Sequence, residues 1–140
     1  MNLKITNYKN KKFSLSLPFG WKVLRDDKLY SFYTKESSGA IQISTYTQNI
    51  SKINLLEKLR NFMNDSNMGK VTEKSKGKYD YVEKSFIKNK FFTYVRIISF
   101  GHYFALITYN CQDDNLDRTY LEMVKKIFDS FEFIIKKKSK

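Results

Sequence analysis

The first strongly patterned stretch of the chain is FSLSL, in which Phe13, Leu15 and Leu17 alternate with serines. A period of two predicts a half-buried strand. Pro18, Phe19 and Gly20 then set a turn, because proline presets φ and glycine suits the fourth position of a type I turn. WKVLRDD resumes as a strand that stops at Asp26-Asp27. LYSFYTK is a third, ended by Glu36-Ser37-Ser38-Gly39, and AIQISTYTQ is a fourth with Ile41 and Ile43 on one face. The short connections predict an antiparallel meander.

The period then changes. In INLLEKLRNFMND, Leu56, Leu59, Phe62 and Met63 fall at helical spacing, Asn54 and Glu57 resemble a capping box, and Asn67-Met68-Gly69 closes the helix. VTEKSKGKYDYVEKSFIK reads as one or two lysine-rich strands broken near Gly77, and that charge density suits a sheet edge. KFFTYVRIISFGHYFALITYNCQ is a hairpin about Gly101-His102. Parity places Phe91, Val95, Ile97, Phe104 and Leu106 on one face, and Phe92, Tyr94, Arg96, Ile98, Phe100, Tyr103, Ala105, Ile107 and Tyr109 on the other. One face is aliphatic; the other is aromatic with an arginine in its middle.

NLDRTYLEMVKKIFDSF is a second amphipathic helix. Its apolar stripe is Leu116, Tyr120, Met123, Val124, Ile127 and Phe131, and its wet face is Arg118, Glu122, Lys125, Lys126 and Asp129. FEFII closes the pattern as a short strand. The order predicts a single α+β domain over residues 1–135. Its architecture is an antiparallel sheet of about six to eight strands with a meander start, packed by two main helices, and residues 136–140 form a basic disordered tail.

Composition agrees with a globular domain. At 140 residues with 41% hydrophobic content, the chain can bury roughly two-thirds of its unfolded surface. The single cysteine, Cys111, makes no internal disulfide, and the N-terminal stretch lacks the apolar core of a secretory signal, so a reducing cytoplasm is the simplest placement. The net charge is +12, and 22 lysines stand against four arginines. Arginine is the better reader of phosphate and guanine. Four of the lysines lie in the closing KKKSK, so the charge reads first as composition and solubility.

Candidate chemistry is sparse. His102, the only histidine, sits at a hairpin tip and needs a nucleophile or carboxylate beside it to act. Cys111 has no base in sequence to activate it. Asp113, Asp114 and Asp117 lack the glycine and terminal glutamate of a calcium loop and read as helix-start acids. No glycine-rich phosphate loop occurs. The expectation is a non-enzymatic chain with no catalytic residues, no cofactor and no metal. Trp21 reads either as a plug for the sheet or as a stacking platform for a ligand.

FSLSLPFGW (Phe13 to Trp21), the aromatic strand with Tyr30, Phe32 and Tyr33, and IFDSFEF (Ile127 to Phe133) together resemble the PsbP-like superfamily, which takes in photosystem II extrinsic proteins, Ran-binding nuclear transport factors and bacterial DcrB-like domains. The resemblance implies an antiparallel sheet with helices packed on its faces, and binding without catalysis. Members bind a GTPase, stabilise a metal cluster from outside, or act as chaperones for secreted effectors.

The aromatic hairpin face is the expected binding surface for a protein partner or a second copy of the chain. Tyr94, Arg96, Tyr103 and Tyr109, with Phe92, are the rigid rings and planar cation enriched at hot spots. Two arrangements stay open. Either the N-terminal segment or a long loop covers this face as core, or both helices pack on the aliphatic face and leave it open. The functional expectation is a protein-binding domain, such as an immunity protein or an accessory chaperone for a secreted effector. The alternative is a lysine-rich module for nucleic acid or an anionic membrane surface.

Overall fold

Phe13 to Pro18 does form a strand, β2, but its partners are not the strands that follow it. The computed structural model describes residues 5–35, 39–50, 52–65 and 68–135. The Glu36–Ser38 turn, Asn67 and the 136–140 tail lie outside the described residues. β2 pairs antiparallel with β1 (Ile5–Lys9) on one side and with β10 (Glu132–Phe133) on the other, making a small three-stranded sheet. The chain then crosses at Pro18–Gly20 into a seven-stranded antiparallel sheet. Gly20, at φ 97, takes a conformation that other residues resist. The continuous meander expected from sequence is therefore corrected: the prolyl turn passes from one sheet to the next.

The large sheet has the order β3 (Lys22–Asp26), β4 (Leu29–Tyr33), β5 (Ala40–Thr47), β9 (Tyr103–Gln112), β8 (Phe91–Phe100), β7 (Tyr79–Lys88) and β6 (Thr72–Lys76). The lysine-rich segment splits at Gly77 into β6 and β7, and β6 takes the edge, as its charges predict. Asn89 and Lys90, both at positive φ, close the β7–β8 hairpin in the twist that favours primed turns. Helix α1 (Leu55–Met63) starts at Asn54, whose Oδ1 accepts from the Glu57 N–H at 3.1 Å. It ends at Asn64 in the left-handed region, three residues before the expected stop. Helix α2 (Arg118–Asp129) starts at Asp117, whose carboxylate accepts from the Thr119 and Tyr120 N–H groups. Asp113–Asn115 form a single 3-10 turn.

The helices lie on opposite faces. Leu59 of α1 packs with Val82, Val95, Ile97 and Phe104, the aliphatic face of the large sheet. Val124, Ile127 and Phe128 of α2 pack with Phe13, Leu15 and Leu17 of β2 against the aromatic face, which carries Tyr30, Phe32, Phe92, Tyr94, Ile98, Ala105, Ile107 and Tyr109. The arrangement with both helices on the aliphatic side is thus corrected. The N-terminal strands cover part of the aromatic face, as one expected arrangement had it, and α2 covers another part.

Phe13 is the junction of the two sheets. It is fully buried and its ring lies 5.3 Å from Tyr30, 5.6 Å from Phe131, 5.9 Å from Tyr8 and 6.4 Å from Phe32, centroid to centroid. Burial of an aromatic ring with several ring neighbours is among the larger single contributions a core residue makes. Phe13→Ala is expected to cost about 3–5 kcal/mol in urea unfolding. Phe91→Ala, at a residue 53% exposed, is expected to cost under about 0.5 kcal/mol.

Candidate functional site

The hairpin residues expected to bind a partner are brought together, but inside the molecule. Tyr94 is 3% exposed, Arg96 4%, Tyr109 2% and Phe92 6%, and Tyr103 is half-buried against Phe133. As a docking surface this set is corrected: α2 and β2 occupy the face. The reason is the apolar stripe of α2, which matches the aromatic side better than the aliphatic one. Phe128 stacks on Tyr94 at 4.8 Å, and Tyr120 lies 5.8 Å from Tyr109.

Arg96 is the polar centre of that interface. Its strand register sets it directly across from Glu83 on β7, and parity turns both side chains toward α2. The guanidinium donates to Glu83 Oε2 through Nη2 at 2.9 Å and Nε at 3.2 Å, and to Asp129 Oδ1 through Nη1 at 2.8 Å. It lies 4.3 Å from the Tyr81 ring centroid. The Tyr94 hydroxyl donates to Glu83 Oε2 and in turn accepts from Arg96 Nη2 at 3.0 Å. Asp129, assigned from sequence to the wet face, is the residue by which the end of α2 grips the sheet.

The electrostatics follow from burial. Desolvation is the largest influence on Tyr94 and raises its pKa above the usual value of about 10, with Glu83 adding to the rise and Arg96 opposing it. Desolvation pulls against the charge on Arg96, yet Tyr94, Asp129 and Glu83 together outweigh it and hold its pKa above the ordinary arginine range. The cation is thus held in place beneath the end of α2 by acceptors from β7 and α2.

The remaining candidates stay apart. His102 is exposed in the β8–β9 turn, and its backbone carbonyl accepts from the Gln48 N–H at 2.9 Å. Cys111 is buried in the aromatic core. Among the described residues, no three His, Cys, Asp or Glu side chains gather as a metal site would require, and no helix is long and apolar enough to cross a membrane. Trp21 stacks on Tyr120 of α2 at 6.2 Å and 15°, as a plug at the rim of the core.

The cleft along the outer side of α2 went unpredicted. Ile5, Leu17 and Pro18 form one wall, and Tyr120, Met123 and Ile127 the other, around about 640 Å³. Asp117, Glu122 and Lys126 stand at its rim. The Tyr120 hydroxyl is buried without a hydrogen-bond partner among the described residues, an arrangement that costs stability until something donates to it or accepts from it. The cleft needs β1, whose ITNYK carries little alternation, so nothing in the pattern marked one wall.

Solved structures similar to this chain include cyanobacterial PsbP (CyanoP) from Synechocystis, with a TM-score of 0.70 and 9% identity over 95% of this chain and 94% of that one. Another, a protein from Bacteroides thetaiotaomicron, has a TM-score of 0.62 and 18% identity over 86% of this chain, which spans 44% of that protein's length. No family model and no curated protein matches the sequence.

Two outcomes test the Arg96 cluster. Arg96→Ala leaves Glu83 without its counter-charge and is expected to cost about 3–5 kcal/mol. Lys125→Ala breaks an exposed pair with Glu122 at 3.6 Å and a loose contact over the Tyr94 ring at 5.8 Å, and should cost under about 1 kcal/mol by the same urea titration. The second outcome concerns pH. Because the fold raises the pKa of Tyr94, its contribution is complete below about pH 10 and is lost above it, as the unfolded chain ionises first. The stability margin over Tyr94→Phe should therefore hold from pH 7 to 10 and shrink above, by up to about 1.4 kcal/mol per pH unit.

Proposed function

We propose that this chain, whose fold is PsbP-like, is a non-catalytic protein-binding domain that docks its partner in the cleft between α2 and the three-stranded sheet. The observation that carries this reading is an apolar cleft of about 640 Å³ walled by α2, β1 and β2. The occupant it fits is a segment of a partner protein with apolar side chains for Met123, Pro18 and Ile5. Ile5 is 71% exposed, an apolar side chain that such a segment would cover. The role within this reading is an immunity protein or an accessory chaperone for a secreted effector; of the two, only the chaperone role is among the activities that the superfamily resemblance implies. The aromatic hairpin residues then act from behind, by fixing α2.

Affinity capture from nuclease-treated lysate at low and moderate salt tests the reading. The wild-type chain is expected to retain one protein in near-stoichiometric amount at both salt concentrations, and Ile5→Asp and Met123→Lys should each lose it while staying folded. Recovery of nucleic acid alone, falling steeply with salt, overturns the reading in favour of polyanion binding. Capture that both variants keep removes the cleft from it.

A further inference from the structure

β3 ends the large sheet, and all five of its residues are exposed. Among the described residues nothing pairs with its outer side. An uncovered edge is a template for another strand unless its side chains forbid pairing. The two edges of this sheet differ in that respect, and the difference lies in what each places opposite itself.

When an edge strand pairs antiparallel with its own copy, only some registers are available. Alternate residues direct N–H and C=O groups to the open side, so a residue meets a partner of the same parity and the two-fold axis passes through a residue, not between two. For β3 the centred register places Leu24 against Leu24, Val23 against Arg25, and Lys22 against Asp26 twice over. Shifting the axis to Arg25 sets arginine against arginine and Leu24 against Asp26; shifting it to Val23 sets Lys22 against Leu24. One register therefore satisfies both charges, and it uses the full strand. For β6 the centred register sets Lys74 against Lys74, the axis at Glu73 sets glutamate against glutamate, and the axis at Ser75 sets Lys74 against Lys76. Like charges directly opposite are destabilising. β6 rejects its own copy, and β3 accepts it.

The surroundings of β3 agree. Leu24 is 60% exposed on the α1 side of the sheet, with Leu29 and Tyr33 of β4 at its diagonal positions, each 36% exposed. α1 packs on β7 and β8 and leaves this end of the face uncovered. Arg25 is drawn inward, over the Tyr30 ring at 5.4 Å and onto the Asp27 carbonyl at 3.1 Å, which takes it away from its own copy across the axis.

We infer that the chain forms a two-fold dimer by antiparallel pairing of β3 with β3 of a second copy, centred on Leu24 and held in register by reciprocal Lys22–Asp26 pairs. The two seven-stranded sheets join into one continuous sheet with both α1 helices on the same side. The contact is small, so the dimer is a weak one by the standard of stable interfaces.

Sedimentation velocity from about 10 to 500 µM, a range suited to weak association, tests it. The wild-type chain should shift from monomer toward dimer across that range. Lys22→Asp opposes aspartates and Asp26→Lys opposes lysines, at two places per dimer, and each should weaken association roughly ten- to thirtyfold. The double variant Lys22→Asp, Asp26→Lys re-forms both pairs in exchanged positions and should regain the wild-type dimer, while Lys74→Asp on β6 leaves it unchanged. All three positions are exposed, and urea unfolding of each of the four variants confirms the fold. A wild-type chain that stays monomeric throughout, single reversals that still dimerise, or a double variant that stays dissociated would each overturn the inference.

Discussion

The grip of Arg96 on Asp129 and Glu83 is the contact on which the rest of the molecule is hung. A guanidinium taken out of water under a helix is costly unless every donor finds an acceptor. Here two carboxylates and a phenol oxygen accept from it, and the Tyr81 ring covers one face. That arrangement has one consequence beyond its own energy: it fixes where α2 stops. Two neighbouring bonds repeat the constraint. Ser130 Oγ accepts from the Ser16 N–H at 2.9 Å, and the Phe133 N–H donates to Tyr79 Oη at 3.0 Å. The end of α2 is thereby tied to β8, β2 and β7 within five residues. Its outer side becomes a wall whose spacing from β1 and β2 is set.

The two faces of the large sheet solve burial differently. The aromatic face is covered across its middle by α2 and the small sheet, while Val23 of β3 and Ile87 near the end of β7 stay exposed on it. The other face is divided. Its β7–β8–β9 portion is aliphatic and takes α1. Near the Phe91 end of β8 and the Gln112 end of β9, and on β5 and β4, it carries hydrogen-bonded polar side chains: Thr93 donates to Asn110 at 2.7 Å, Asn110 to Thr108 at 3.3 Å, and Gln42 to Ser31 at 3.3 Å. Polar groups that satisfy one another need no lid. This explains how nine residues of α1 suffice on that side, and why the sheet continues beyond the helix to an edge with exposed leucines.

Most of the fold was legible because it rests on period and parity. The alternation in FSLSL, the two-faced hairpin from Phe91 to Gln112, the Gly77 break and the Asn54 cap of α1 are local signals, and each corresponds to what forms. The connection after Pro18 was not legible, since a turn reads the same whether it joins two strands of one sheet or carries the chain to another. The part of the aromatic face that α2 covers was not foreseen, for a related reason. An amphipathic stripe says that a helix has a dry side, but not which dry surface it meets. Asp129 was the available clue: an acid one turn from the stripe's end, on the same helix as Phe128, could have been matched to the lone arginine of the aromatic face. ITNYK has too weak a pattern to announce β1, so the cleft that it helps to build was invisible from sequence.

A fold shared with cyanobacterial PsbP at 9% identity is carried by pattern, not by particular side chains. The proposed docking and pairing surfaces lie on positions that the pattern leaves free. Those are the outer side of α2, the exposed strand β1 and the β3 edge, because the core positions are committed to packing rings and aliphatics. The buried arginine cluster sits between the two classes. It lies in the core by burial, but through Asp129 it sets the position of a surface. A substitution there would be felt at the cleft as a displacement of Tyr120 and Met123 before it was felt as unfolding, because α2 touches the sheet chiefly through its C-terminal half, where Val124, Ile127 and Phe128 are buried. The N-terminal half meets the rest of the molecule at the rim of the core, where Trp21 and Tyr120 stack at 6.2 Å.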